Sequence, residues 1–375
     1  MTDFRPGGGD NDSPPSEQTR LNELRQQIDA IDNRVHDLLI ERAGLVVEVG
    51  QVKGRRSDVL FYRPEREARI HRRLAARHHG ALPIEALHRI YREIISACLS
   101  LETRLNVVYL GPEATATHEA ALKHFGSSAV MSPVASIDDI FHDVEVGRAD
   151  FGVVPVENAI EGVVIYTLER FIDSPLRICG EVMLPVVYCL MSLATSMEQV
   201  RRVYGHTRAR AQCRLWLERH LPTMPVTIVD ATAKGVALVR EDEESAVLAG
   251  VHAADRYGLN VLSEHVEDRA GHEHRFLVIG RQDSGPSGQD KTSLMFSFRD
   301  QPGFLHRVLG IFACHGVNLT RIESRPSWSK AWDYLFFVEL EGHREQPPVA
   351  AAMAELMEVP GVSVQILGSY PKRAV

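Results

Sequence analysis

Between Leu21 and Lys53 an apolar residue recurs every third or fourth position, at Leu24, Ile28, Ile31, Val35, Leu38, Leu45, Val49 and Val52, and Arg42 interrupts the stripe. A helix over these residues is roughly 50 Å long at about 1.5 Å per residue, longer than a small domain is wide. The pattern therefore predicts a seam packed against a second copy of the same helix. A guanidinium keeps its proton, so on a packed seam it needs an anion opposite it or a route to water. Arg25 lies one turn before Ile28 and Lys53 ends the segment, so these cations and Arg42 bracket a largely apolar face that suits a small polyanion. The plainer account is that Arg42 snorkels at a bend and Lys53 is an ordinary cation at a helix C-terminus.

A chain of 375 residues has room for two or three domains, and 44% hydrophobic with 25% charged residues is a globular balance. The net charge of −8 argues against nucleic acid as the main partner. Five cysteines (Cys98, Cys179, Cys189, Cys213 and Cys314) are scattered without a CxxC pair, which suggests neither a zinc ribbon nor a disulfide framework and makes the cytoplasm the expected location. The Gly, Pro, Ser and Asp-rich start reads as a disordered tail over 1–19 rather than a signal peptide. The uncharged run from Val182 to Met197 is too short to cross a bilayer and is broken by Pro185, so no membrane segment is expected.

After Gly54 the helical pattern lapses until Pro64, a good first-turn residue, and runs to Gly80. A third helix begins near Pro83, with Ile84, Leu87, Tyr91, Ile94, Cys98 and Leu101 at heptad spacing and Glu102 one turn after Cys98. Residues 20–105 thus form an all-α unit. From Asn106 the texture changes to a short strand NVVYLG, a Gly111-Pro112 turn, Thr117 as the N-cap of a helix HEAALKHF, and further strands at FGVVPVE, PVTIV, SAVLAG and HRFLVIG. Strands alternating with helices predict α/β layering over 106–282. A polar linker, 283–290, leads into 291–375, where the order βαββαβ predicts a ferredoxin-like unit.

The stretches LRQQIDAIDNRVHDLLIERAGLVVEVGQVK, FYRPERE and IYREIISACLSLE resemble the all-helical, intertwined-dimer chorismate mutase domain that opens the bifunctional chorismate mutase/prephenate dehydratase family. The resemblance implies that Arg25 and Arg42 clamp the two carboxylates of chorismate, one donated across a homodimer. It implies that Lys53 faces the ether oxygen, that Arg66 and Glu67 contact the carboxylate and hydroxyl side, and that Cys98 lines the wall. A pericyclic rearrangement needs no nucleophile, only a compact conformer and donors aimed at the oxygen that gains charge. Arg63 stands where some relatives carry an acid, and Glu102 where some carry a glutamine. Glu102 then works either protonated, its pKa raised by burial, or paired with Lys53, which alone donates.

YLGPEATATHEAALKHFG, VVPVENAIEGVV, VYGHTRARAQC, YGLNVL and HRFLVIG resemble the prephenate dehydratase domain, in which two α/β lobes enclose the substrate. Thr115, Thr117, His118, Glu157, Asn158, His206, Gln212, Arg275 and Phe276 fall on the family's motifs. The chain departs from them at Ala114, Ala116, Ala159, Ile160, Ile165 and Gly205, and above all at His274, where the family has a threonine thought to help expel the ring hydroxyl. His274 could protonate that hydroxyl as an imidazolium. Two rivals are decarboxylation without dehydration, which leaves a dihydro acid, and a lobe that binds without turnover. His272 and His274 alternate on a strand end, but without a third ligand nearby no metal is expected.

The last unit resembles the ACT regulatory domain of the same proteins, whose amino-acid effector sits between a Gly-Ala-Leu turn and a Glu-Ser-Arg-Pro stretch. Glu323, Ser324, Arg325 and Pro326 match, and the turn reads Gly303, Phe304, Leu305. Phe304 either fills part of an L-phenylalanine site and weakens feedback or rotates into the core. Together the resemblances imply a homodimeric enzyme, or a higher oligomer, that takes chorismate and prephenate and needs no cofactor or metal; composition adds that it is cytoplasmic and meets neither nucleic acid nor membrane. A phenylalanine-sensing regulator without turnover is the alternative from a different class.

Overall fold

A computed structural model describes residues 17–54, 62–113, 115–158, 162–250, 252–269, 271, 273–299, 301–326 and 333–372. Most of the expected tail, with Ala114, Ala159, Ile160, Glu161 and His272, lies outside the described residues. The chain divides into two units, residues 1–61 with 101–103 and residues 62–100 with 104–375.

The first unit is dominated by α1 (Glu17–Lys53), which starts three residues earlier than the tail boundary read from the sequence. None of its residues is buried. Leu24, Ile28, Ile31, Val35, Leu38, Leu45, Val49 and Val52 are all exposed, so among the described residues of this unit the stripe has no cover.

In the second unit α2 (Pro64–Arg77) begins on Pro64 and buries the face made by Glu65, Ala68 and His71. It pairs with α3 (Ile84–Glu102), whose residues up to Ser100 belong here, through the edge-to-face rings of His71 and His88, 5.0 Å apart. β1 (Asn106–Leu110) follows, then α4 (Ala116–Phe125), capped not by Thr117 but by Thr115, whose side chain accepts from the His118 N–H. Thr117 is buried in the first turn instead. Gly126 ends α4 at φ 73°, against α3, where a Cβ would lie 2.5 Å from that of Ser96; a side chain there is excluded on both counts. The Tyr62 hydroxyl meets His124 at 2.9 Å, so the helical hairpin is fastened to α4.

Burial lowers the pKa of His124 to about 4, with Glu67 opposing and Arg92 assisting. A folded-state value below the unfolded one of about 6.5 means that stability is full above pH 6.5 and is lost as pH falls toward 4, by roughly 3 kcal/mol. Urea titrations at pH 7 and pH 4.5 are expected to reveal that loss, and His124→Gln to flatten it. An equal slope in the variant would assign the acid sensitivity elsewhere.

The middle region continues with β2 (Val130–Val134), α5 (Ile137–Glu145), β3 (Phe151–Asn158), β4 (Gly162–Val163), α6 (Ile165–Arg170) and β5 (Arg177–Pro185). A second lobe holds β6 (Tyr188–Ser192), β7 (Arg202–His206), α7 (Thr207–Gln212), α8 (Arg214–His220), β8 (Val226–Val229), α9 (Thr232–Glu241), β9 (Ser245–Gly250), α10 (His252–Tyr257) and β10 (Asn260–Ser263). β11 (Glu273–Gly280) returns to the first lobe, giving sheets of order β2-β1-β3-β11-β5, with β4 on β3, and β10-β6-β9-β7-β8. β11 alternates faces: Phe276 and Val278 join Tyr109 and Phe125, while Leu277 and Ile279 join Phe141 and Phe171.

The C-terminal region is β12 (Asp290–Arg299), α11 (Phe304–Cys314), β13 (Leu319–Pro326), β14 (Asp333–Glu341), α12 (Pro347–Glu358) and β15 (Val362–Pro371), with sheet order β13-β14-β12-β15. Asp290, expected in the linker, is already strand, and its carboxylate accepts from the N–H groups of Ser287 and Gly288. Leu294, Phe296 and Phe298 pack under α11 and α12, whereas Met295, Phe337 and Leu367 on the other face join the core of the middle region. The sheet is thus buried on both sides. β15 crosses β5 so closely that a Cβ on Gly368 would lie 2.2 Å from the Ile178 carbonyl oxygen.

Candidate functional site

In the first unit Lys53 Nζ lies 2.7 Å from Glu102 Oε2, and the Glu102 side chain is 8% exposed. This is the contact that the pairing alternative requires: an ammonium and a carboxylate share a charge-assisted hydrogen bond. Gly50 lets them meet, since its absent Cβ would sit 3.3 Å from Glu102 Cγ. On the same helix Arg42 Nη1 is shielded from solvent without a hydrogen-bond partner among the described residues. A shielded guanidinium nitrogen with no acceptor is costly and is satisfied by an anion. Arg25 is exposed on the stripe. Arg66, Glu67 and Cys98 belong to the second unit: Arg66 is exposed, Cys98 is buried, and Glu67 lies 3.8 Å from His71.

In the middle region His274 is the second residue of β11 and feels the charges of Arg208 of α7 and Glu119 of α4, one from each lobe. Burial first, and the Arg208 cation second, lower its pKa below the ordinary histidine value against the pull of Glu119. The imidazolium expected from the sequence is therefore disfavoured, and a neutral ring that keeps one N–H takes its place. Prephenate consumption, corrected for the uncatalysed rate, is expected to be flat through neutrality and to fall only as acid protonates this ring, a limb absent in His274→Thr. A decline with rising pH between 6 and 8 would restore the imidazolium.

His206 caps α7 by accepting from the Arg208 N–H at 3.3 Å, and the Gln212 Oε1 is shielded without a partner among the described residues. His118 stacks on Tyr109 at 4.5 Å with planes 6° apart, Asn158 ends β3, and Phe276 is core.

Two expected site residues are held in ion pairs with the C-terminal sheet. Arg275 is 4% exposed and points away from His274. Its guanidinium meets Glu181 at 2.9 Å and Glu339 at 2.7 Å, and Lys291 meets Glu181 at 2.8 Å, so two strands of the middle region and two of the C-terminal sheet share a buried charge cluster. Burial opposes the Arg275 charge, yet Tyr370, Glu339 and Glu181 together hold its pKa above the usual arginine range. Glu157 pairs with Arg321 of β13. The cause is a bulge: Phe276 is opposite Pro155 but Arg275 is opposite Glu157, so Val156 is the extra residue and every later side chain of β3 changes face.

In the C-terminal region Gly303 takes φ 78° at the start of α11. The Phe304 ring packs on Phe298, 4.6 Å between centroids, and with Leu305 adjoins the core, the placement that the core alternative requires. Phe304→Ala is expected to cost about 2 kcal/mol, less than full burial of such a ring would, read as a lower denaturation midpoint. An unchanged midpoint with a sharpened phenylalanine response would return the ring to that site. Glu323, Ser324, Arg325 and Pro326 end β13, and Arg325 Nε is shielded without a partner among the described residues.

Family models for chorismate mutase type II, prephenate dehydratase and the ACT domain match residues 24–103, 107–284 and 292–356. The chain is 49% identical over 356 residues to the bifunctional chorismate mutase/prephenate dehydratase of Aquifex aeolicus, covering 94% of this chain and 98% of the relative. It belongs to that bifunctional family. The Pseudomonas aeruginosa member is 42% identical over 362 residues, with 95% and 99% covered. Among solved structures, the prephenate dehydratase of Arthrobacter aurescens in complex with L-Phe superposes with a TM-score of 0.63 at 33% identity, covering 72% of this chain and 90% of that one. Family motifs pointed to His206, Gln212 and His274, whereas Arg208, though inside the VYGHTRARAQC stretch, and Arg321, Glu181, Lys291 and Glu339 were not singled out, because their partners lie on distant segments of the chain. Among the described residues no group of three or more His, Cys, Asp or Glu could hold a metal, and no helix is long and apolar enough to cross a membrane.

Proposed function

We propose that the protein rearranges chorismate to prephenate in its helical region and converts prephenate to phenylpyruvate, carbon dioxide and water in its middle region, in the cytoplasm and under phenylalanine control by its C-terminal domain. The observation that carries this reading is the match along 94% of the chain to a bifunctional enzyme with the same activities in its name. The geometry supports it: Arg42 holds a donor that no described residue answers, on the helix that also carries Arg25 and Lys53. Chorismate supplies two carboxylates to the arginines, and Lys53 Nζ donates to the ether oxygen as the C–O bond breaks and the C–C bond forms. The uncovered stripe of α1 is completed by a second copy, which makes the working form a homodimer.

In the middle region the lobes present neutral His274 with Arg208 and Glu119, and the ring N–H and nearby cation stabilise the departing hydroxide. Incubation with prephenate, followed by ultraviolet absorbance and mass, is expected to yield phenylpyruvate. A hydroxylated dihydro acid would instead make the region a non-aromatising decarboxylase, and unchanged prephenate a binding lobe.

A further inference from the structure

We propose that Arg321 is a positioning residue for the prephenate reaction, acting through Glu157; the inference rests on the dehydratase reading of the middle region. One guanidinium serves two carboxylates. It pairs with Glu157, and its Nη2 lies 3.6 Å from Glu323 Oε1, two residues along β13 and on the same face of that strand. The Arg321 side chain is 19% exposed, so its charge is held by these partners more than by water.

Glu157 is well placed to transmit that hold. It pairs with Val163 of β4 and with Arg275 of β11, and the next residue of β3 is Asn158. Since β3 and β11 run antiparallel, Asn158 and His274 are the next residues along from the Glu157–Arg275 pair. Fixing Glu157 from the C-terminal sheet therefore fixes the strand ends that carry Asn158 and His274. Glu323 belongs to the Glu-Ser-Arg stretch, so a ligand taken up there competes for the same guanidinium and changes how firmly Glu157 is held.

The test is prephenate turnover by the full chain carrying Arg321→Ala, Arg321→Lys, Glu157→Gln, and Arg321→Ala with Glu157→Gln. Arg321→Ala is expected to lower kcat about tenfold with KM within threefold, Arg321→Lys to recover at least a third of the parent kcat, and the double variant to be no slower than the slower single one. Chorismate turnover stays at the parent level throughout and reports folding. A parent-like kcat in Arg321→Ala, or losses that multiply in the double variant, would overturn the proposal. Failure of the dehydratase reading shows separately, as a parent protein that leaves prephenate intact. Amide exchange over 151–158 then decides: acceleration in Arg321→Ala supports the hold on β3, and unchanged exchange removes it.

Discussion

Arg42→Ala is expected to lower chorismate turnover by roughly 10²–10³-fold, about 3–4 kcal/mol of transition-state stabilisation. The residue interrupts an apolar stripe and one of its nitrogens is shielded without an acceptor among the described residues, which suits an anion. Arg42→Lys is expected to recover little, because an ammonium cannot offer two parallel N–H groups to one carboxylate. Prephenate turnover by both variants should stay within twofold of the parent, since none of the residues on the dehydratase motifs lies on α1. Chorismate loss followed by absorbance gives the answer; near-parent turnover in Arg42→Ala would leave the cation as a snorkelling side chain.

The second large effect is on stability. Arg275→Met is expected to cost about 3–5 kcal/mol, because it leaves two buried carboxylates, Glu181 and Glu339, facing the single ammonium of Lys291. The same variant should lose prephenate turnover, since Arg275 is the neighbour of His274 on β11. Urea unfolding at pH 7 measures the first and a coupled assay the second. A cost below 1 kcal/mol would mean that water reaches the cluster and that it does not fasten the C-terminal sheet to the middle region.

Periodicity made the long helix, the alternating strand β12 and the order βαββαβ legible, because each rests on contacts that repeat every two to four residues. The phase of a strand beyond a bulge does not. Nothing near Glu157 announces that Val156 is the extra residue against β11, so a carboxylate that falls on a family motif faces Arg321. Glu181 stands just before an uncharged run, and its partner Arg275 is 94 residues away in sequence. For Lys53 and Glu102 the sequence allowed both a neutral acid and an ion pair; the 2.7 Å contact is the one that the pair requires, and it depends on how helix ends meet rather than on any local pattern. The lowered pKa of His274 has the same origin, since burial and Arg208 exist for it only once two lobes have folded together.

The central claim is that one chain performs two consecutive reactions, and its most direct test starts from chorismate alone. With the purified full chain and no added enzyme, the expected result is loss of chorismate matched mole for mole by phenylpyruvate, identified by mass and absorbance, with prephenate appearing only in passing. Prephenate accumulating without further change, or a hydroxylated dihydro acid as the end product, would contradict it.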